Sequence, residues 1–277
     1  MQKLRNLFGD IARKAPLVVL SLLLAGSQLM VGGLNKVLAD PVYPELISVS
    51  QNNLPAGGDL TGECTTTYNG VLDISSDGRF VLSCSKSPDL PHQLDNTTAV
   101  YVRDRLNQTT ELVSVNNQEA QLNEMIAYAK LSGDGTKVVF ISTASNIEPG
   151  TTSRNWHVYM RDLASNTTSH ISVDELGNPI AALAGNVVIS DDGNVVVYMT
   201  TINNNDPQNR SHPIYVRNFS ENSIKYIPNK TGSVNAISGN GRFVAYTSEE
   251  QRITRLRIYE TATDTTQIGS TSLDGQL

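Results

Sequence analysis

Four histidines, His92, His157, His170 and His212, and three recurring pairs, Arg103-Asp104, Arg161-Asp162 and Arg217-Asn218, are the residues whose types could carry chemistry in this chain. Imidazoles can ligate a metal or relay a proton, and an arginine beside a carboxylate can hold an anion. Their placement argues against both uses. The histidines fall in different repeats or loops; His92, His157 and His212 all precede the same kind of strand, which would put them on one rim but beyond shared metal-ligand reach. The arginine pairs occupy the same place in successive repeats, whereas an active site is a one-off arrangement, so they are expected to tie turns or neighbouring units together. Neither Gly-x-Ser-x-Gly, His-Glu-x-x-His nor a phosphate-binding glycine loop occurs. No catalytic residue, metal site or cofactor is expected.

The elements that carry these residues announce themselves through a repeated turn. Asp77-Gly78, Asp134-Gly135, Asp192-Gly193 and Asn240-Gly241 each follow an Ile-Ser or Leu-Ser phrase and precede a short run such as Val138-Val139-Phe140-Ile141. Such pairs tolerate positive φ, so the pattern predicts hairpins closed by two-residue primed turns. The glycines lie 57, 58 and 48 residues apart, a period that points to a blade array.

Each hairpin is followed by a second phrase, Val100 to Asp104, Val158 to Asp162, Ile214 to Asn218 and Leu256 to Glu260, with the apolar–polar alternation of half-buried strands. Thr-rich stretches beginning near Thr109, Thr167, Ser223 and Thr265 read as outer strands, reached through Asn107, Asn166, Asn222 or Asp264, which tolerate the left-handed region. The fold class is therefore all-β, a β-propeller of four-stranded antiparallel blades at about 70–115, 127–173, 185–228 and 234–269. The segment 120–130 comes nearest to helical periodicity and is expected to be a loop or single turn. Residues 45–50 match an outer strand without a blade, and Ser270 to Gly275 resembles the start of another connection. Both features favour an incomplete part of a six- to eight-bladed ring over a closed ring of four.

The combination Ile-Ser-x-Asp-Gly-Arg-Phe-Val, Ser-Asn-Ile-x-Pro-Gly, Val-Tyr-Val-Arg-Asp and Thr-Thr-x-x-Ile-Ser-Val resembles the TolB-type, WD-like propeller repeat of exported bacterial proteins. The second unit carries it best, through Leu131 to Gly135, Ala144 to Gly150 and Val158 to Asp162. The resemblance covers about residues 45–275 and implies a fold that serves many binding roles. Members of this kind often carry an Asp/Asn-rich loop suited to calcium before the third strand. Here Asp95-Asn96 is followed by Ala99, and residues 150–155 and 203–206 offer too few carboxylates for the six or more oxygens calcium needs.

The chain opens with basic Lys3, Arg5, Arg13 and Lys14, an apolar run over Pro16 to Leu34, and Val37-Leu38-Ala39. This predicts a signal peptide over 1–39, cut between Ala39 and Asp40, ahead of a propeller domain over 40–277, with a retained membrane anchor as the alternative. Residues 1–39 carry five basic residues and one acidic, so the remainder has 16 Lys plus Arg against 26 Asp plus Glu, a net charge of −10. That surface repels phosphate backbones, which excludes nucleic acid as an expected partner. Cys64 and Cys84, the two cysteines, either form a disulfide or remain buried thiols. Closing a loop of about 20 residues would stabilise the fold by roughly 3 kcal/mol. Trp156 reads either as packing or as a partner-facing aromatic.

The function expected from all of this is an exported, non-enzymatic propeller, periplasmic or secreted, that binds a protein or envelope polymer through rim loops or the channel mouth. The alternatives are an accessory propeller of a peptidase or glycan-active enzyme and a structural surface repeat.

Overall fold

The computed structural model describes residues 71–91, 98–147, 155–200, 212–227, 232–250 and 253–269, all within the compact unit Leu46–Leu277. Ala39, Asp40, Cys64, His92 and the expected strand at 45–50 lie outside the described residues.

The described residues form sixteen strands and no helix, arranged as four antiparallel sheets of four. The first sheet holds β1 (Val71–Ile74), β2 (Phe80–Ser85), β3 (Ala99–Asp104) and β4 (Thr109–Leu112); the second holds β5 (Ile126–Leu131), β6 (Lys137–Ser142), β7 (His157–Asp162) and β8 (Thr167–His170). The third comprises β9 (Ala182–Ile189), β10 (Val195–Thr200), β11 (Ile214–Asn218) and β12 (Ser223–Ile227). The fourth comprises β13 (Val234–Ile237), β14 (Phe243–Glu250), β15 (Ile253–Glu260) and β16 (Thr265–Ile268). Within each sheet, strands consecutive in the chain pair with one another, so each sheet is a simple meander. The segment 120–130 bridges through Gln121 to Val115 and then enters β5 at Ile126.

Strand periodicity explains how the sheets stack. Successive side chains point to opposite faces, so Val138 and Phe140 of β6 pack with Leu82 and Val100 of the first sheet and with Val113 just after it. Their neighbours Val139 and Ile141 pack with Val187, Val196 and Tyr198 of the third. Val195 and Val197 then join Val244, Tyr246 and Tyr259 of the fourth. A strand buried on both faces reads as a continuous apolar run, which is why all six residues of β10 are buried.

The first strands contact one another in the order β1, β5, β9, β13, and among the described residues β13 makes no comparable contact with β1. Four meanders stacked face to face around their first strands are blades of a β-propeller, here in an open arc. The face of blade four turned away from blade three shows the consequence: Phe243 is 39% and Leu256 36% exposed, with Ala245 and Ile258 on the same face by register. Cys84, on β2, is fully buried and disulfide-bonded.

Candidate functional site

The four repeated turns differ from the expected primed hairpins. Only their glycines take positive φ, at 71°, 73°, 66° and 69° for Gly78, Gly135, Gly193 and Gly241; Asp77, Asp134, Asp192 and Asn240 do not. Gly78 N–H donates to Ser75 O at 2.8 Å, and the other three turns repeat that bond. Each is a type I turn followed by a left-handed glycine. The serine sets the difference: Ser75 Oγ donates to Asp77 Oδ1 at 2.6 Å and accepts from Phe80 N–H at 2.9 Å. Ser132, Ser190 and Ser238 make the same pair of bonds. The Ser75 hydroxyl and the Arg79 amide hold the Asp77 carboxyl below its ordinary range.

These turns also latch blade to blade. Ser76 N–H donates to Gly133 O at 2.7 Å, Asp134 N–H to Asp191 O at 2.8 Å, and Asp191 N–H to Gly239 O at 2.8 Å. From blade two onward, each turn glycine lies against the residue two positions past the previous blade's glycine. A Cβ on Gly135 would sit 2.2 Å from Phe80 Cδ2, one on Gly193 2.7 Å from Lys137 Cδ, and one on Gly241 2.6 Å from Val195 Cγ2. The residues most conspicuous in the repeat thus hold the array together.

The residues at the ends of the third strands tie turns within a blade. Asp104 accepts two bonds from Arg79, at 2.6 and 3.0 Å, and further bonds from the Leu106 and Asn107 amides. Arg79 is the main reason its carboxyl titrates at about 2. In blade one the left-handed residue is Gln108, not Asn107; Asn166, Asn222 and Asp264 take that conformation in the other blades. Blade four has Tyr259 where the others have arginine, and its hydroxyl donates to Asp264 at 2.6 Å.

The histidines depart from the expectation that they lie apart. His157 opens β7 and His170 closes β8, so their rings meet edge to face with centroids 4.8 Å apart, and His170 stacks on Tyr159 at 4.8 Å. His157 Nδ1 lies 3.2 Å from Ile180 O and His170 Nε2 3.1 Å from Ser172 Oγ. Burial, then the neighbouring His157, pushes His170 down to about 4; burial also lowers His157. Among the described residues no group of three metal-ligating side chains forms. Trp156 is half-buried and packs on the core between blades two and three.

This pair has a pH consequence. An unfolded histidine titrates near 6.5, above His170 in the fold, so the unfolded chain binds more protons between those values. The histidine contribution to stability is therefore greatest above pH 6.5 and falls as the pH drops towards 4. Thermal melts at pH 7.5 and 4.5 are expected to show a lower Tm at the acid end, with a smaller difference in His170→Gln. The Asp104 contribution is lost only at still lower pH.

The connections between blades distinguish one place from its neighbour. In the turn from Val115 to Gln121, Asn117 donates to Thr168 O at 3.0 Å and accepts from Thr168 N–H at 2.6 Å. Thr168 Oγ1 donates to Val115 O at 2.7 Å. Glu119, left-handed at φ 59°, receives Arg161 Nη2 on both oxygens at 2.8 and 2.9 Å. Arg161 is fully buried and also donates to Asn166 O at 2.8 Å.

The next connection, Val173 to Pro179, has the same bridge but not these stitches. Gly177, at φ 84°, stands in the place of Glu119, Glu175 in that of Asn117 and Ile224 in that of Thr168. A cleft of about 550 Å³ lies there, lined by the 173–177 turn, Arg217, Asn222, Ser223 and Ile224. Arg217 corresponds to Arg161. It reaches Asn222 Oδ1 at 3.5 Å and lies over the Phe219 ring at 5.6 Å, and no described carboxylate pairs with it. Asp174 is occupied by its own turn, accepting from the Leu176 and Asn178 amides and from Asn178 Nδ2. Leu176 at the lip is 86% exposed. Sequence reasoning missed this site; aligning residues 115–121 with 173–179 would have revealed the substitution of Gly177 for the acid.

The molecule is thus of the β-propeller class, with an inter-blade cleft on blade three. No family model and no curated protein matches the chain. Among solved structures it is similar to TolB from Acinetobacter baumannii, at 17% identity and a TM-score of 0.47, over 74% of this chain and 44% of that one. It is also similar to the β-propeller domain of the Trilobed protease from Pyrococcus furiosus, at 10% identity and a TM-score of 0.46, over 74% of this chain and 59% of the other. A third is an acylaminoacyl peptidase from Pyrococcus horikoshii, at 11% identity and 0.47, over 73% and 32%. The chain spans less than two thirds of each.

Proposed function

We propose that this chain is an exported, non-enzymatic propeller, periplasmic or secreted, that binds a protein or polymer of the cell envelope at its rim. One observation carries the reading: the inter-blade niche that Glu119 closes on Arg161 stands open on Arg217. The recurrent Ser, Asp and Gly residues and Arg161 serve turns and blade contacts, whereas this cleft is available to a ligand. The disulfide at Cys84 supports export, because such bonds persist in oxidising compartments. Its partner in this reading is Cys64, the only other cysteine.

The test is capture from envelope extract on the immobilised chain, with peptide, ester and glycan hydrolysis assayed in parallel. One reproducible species, displaced by free chain and accompanied by no turnover, is the expected result. Turnover of any of these substrates would overturn the non-enzymatic reading. The uncovered apolar face of blade four favours a second reading, a propeller that serves as an accessory module to a peptidase or glycan-active enzyme.

A further inference from the structure

We propose that the cleft on blade three receives a segment of a partner protein that sets a carboxylate on Arg217, as Glu119 sets one on Arg161, with a basic residue beside Glu175. This rests on the binding role above and specifies its ligand.

The chain itself supplies the template. On blade two, an exposed turn carries a glutamate whose two oxygens accept from a single guanidinium nitrogen at 2.8 and 2.9 Å. On blade three the guanidinium is retained at the equivalent strand position and its asparagine neighbour is retained as Asn222, while the acid is missing. Arginine presents a planar fork of donors matched to a carboxylate, which makes an acidic side chain the natural occupant. The space is present: a Cβ built on Gly177 meets nothing within 4 Å.

The rim narrows the choice further. Asp174 is engaged by its own turn, but Glu175 is exposed and gives the mouth a negative charge. A purely acidic segment would be repelled there, while one carrying a cation next to its acid satisfies both sides. Leu176 and Ile224 add apolar surface for a neighbouring aliphatic side chain. The occupant is therefore a short peptide segment of mixed charge with an aliphatic residue beside the acid.

A fluorescent peptide, Gly-Lys-Leu-Glu-Leu-Gly, and its Gln counterpart serve as probes, with polarisation measured on the full chain. The Glu peptide is expected to bind at least tenfold more tightly than the Gln peptide. Arg217→Ala should weaken it at least tenfold, and Glu175→Gln about threefold. Gly177→Glu rebuilds the internal acid of blade two and is expected to block the peptide to the same degree as Arg217→Ala. Because Gly177→Glu leaves Arg217 in place, it separates occupation of the cleft from damage to the arginine's surroundings. Equal binding of the two peptides, no binding at millimolar concentration, or indifference to both Arg217→Ala and Gly177→Glu would overturn the proposal. Envelope capture that survives Arg217→Ala would also overturn it while leaving the general binding role intact.

Discussion

Replacing Gly135 by alanine is expected to destabilise the chain by about 2–4 kcal/mol, read as a lower denaturant midpoint at unchanged slope. Two effects add. Alanine at φ 73° takes up a left-handed backbone, which costs roughly 1–2 kcal/mol. Its Cβ would also lie 2.2 Å from Phe80 Cδ2, so the ring at the blade-one interface must move. Gly177→Ala is the internal control, since it carries the same backbone cost at φ 84° with open space around it. It should lose only about 1–2 kcal/mol. Equal losses at the two glycines would show that the turn does not press on the preceding blade.

Arg161→Ala is expected to cost about 2–4 kcal/mol, because truncation removes a fully buried side chain and strands the groups it satisfied. Asn166 O loses its 2.8 Å bond and the 115–121 turn loses its ion pair to blade two, while the Asn117 and Thr168 bonds remain. Glu119→Gln should cost far less, about 1 kcal/mol or under, since Glu119 is 57% exposed and solvent screens its charge. Arg217→Ala, at the corresponding place on blade three, is expected to change stability by less than about 0.5 kcal/mol, because this half-buried side chain has the exposed Asn222 and the Phe219 ring as its described partners and no carboxylate among them. Urea denaturation of the three variants checks the order Arg161→Ala, then Glu119→Gln, then Arg217→Ala. A loss at Arg217 equal to that at Arg161 would contradict its assignment as an unplugged position.

Most of the architecture could be read from the repeated phrases. An Asp-Gly pair between apolar runs marks a hairpin, and the alternation in Val158 to Asp162 marks a strand, because both are local consequences of backbone sterics and side-chain direction. The turn type was not local in that sense. Ser75 Oγ draws the Asp77 carboxylate and the Phe80 amide together, which favours a type I turn over the primed form expected from Asp-Gly alone. The meeting of His157 and His170 was hidden for a related reason: they are 13 residues apart, at the open end of an antiparallel strand pair whose register sets His170 opposite Tyr159 and diagonal to His157.

The cleft was the least legible feature. It is a difference between repeats, whereas the turn and strand phrases are what recurs. Glu119 and Gly177 share a left-handed backbone position, so the conformation is preserved while the side chain that closes the niche is lost. Thr168 and Ile224 differ in the same way, the hydroxyl that reaches Val115 O being absent from isoleucine. Three substitutions at corresponding positions turn a structural joint into an accessible groove.

Successive segments form separate blades, with Gly135, Gly193 and Gly241 each seated against the blade before. Proton NOEs from these glycines are the decisive measurement. Contacts from Gly135 Hα to the Phe80 ring, Gly193 Hα to the Lys137 side chain and Gly241 Hα to the Val195 methyls are all expected. Absence of all three, or contacts joining the first turn to the fourth in place of the adjacent pairs, would contradict an arc of blades packed in chain order.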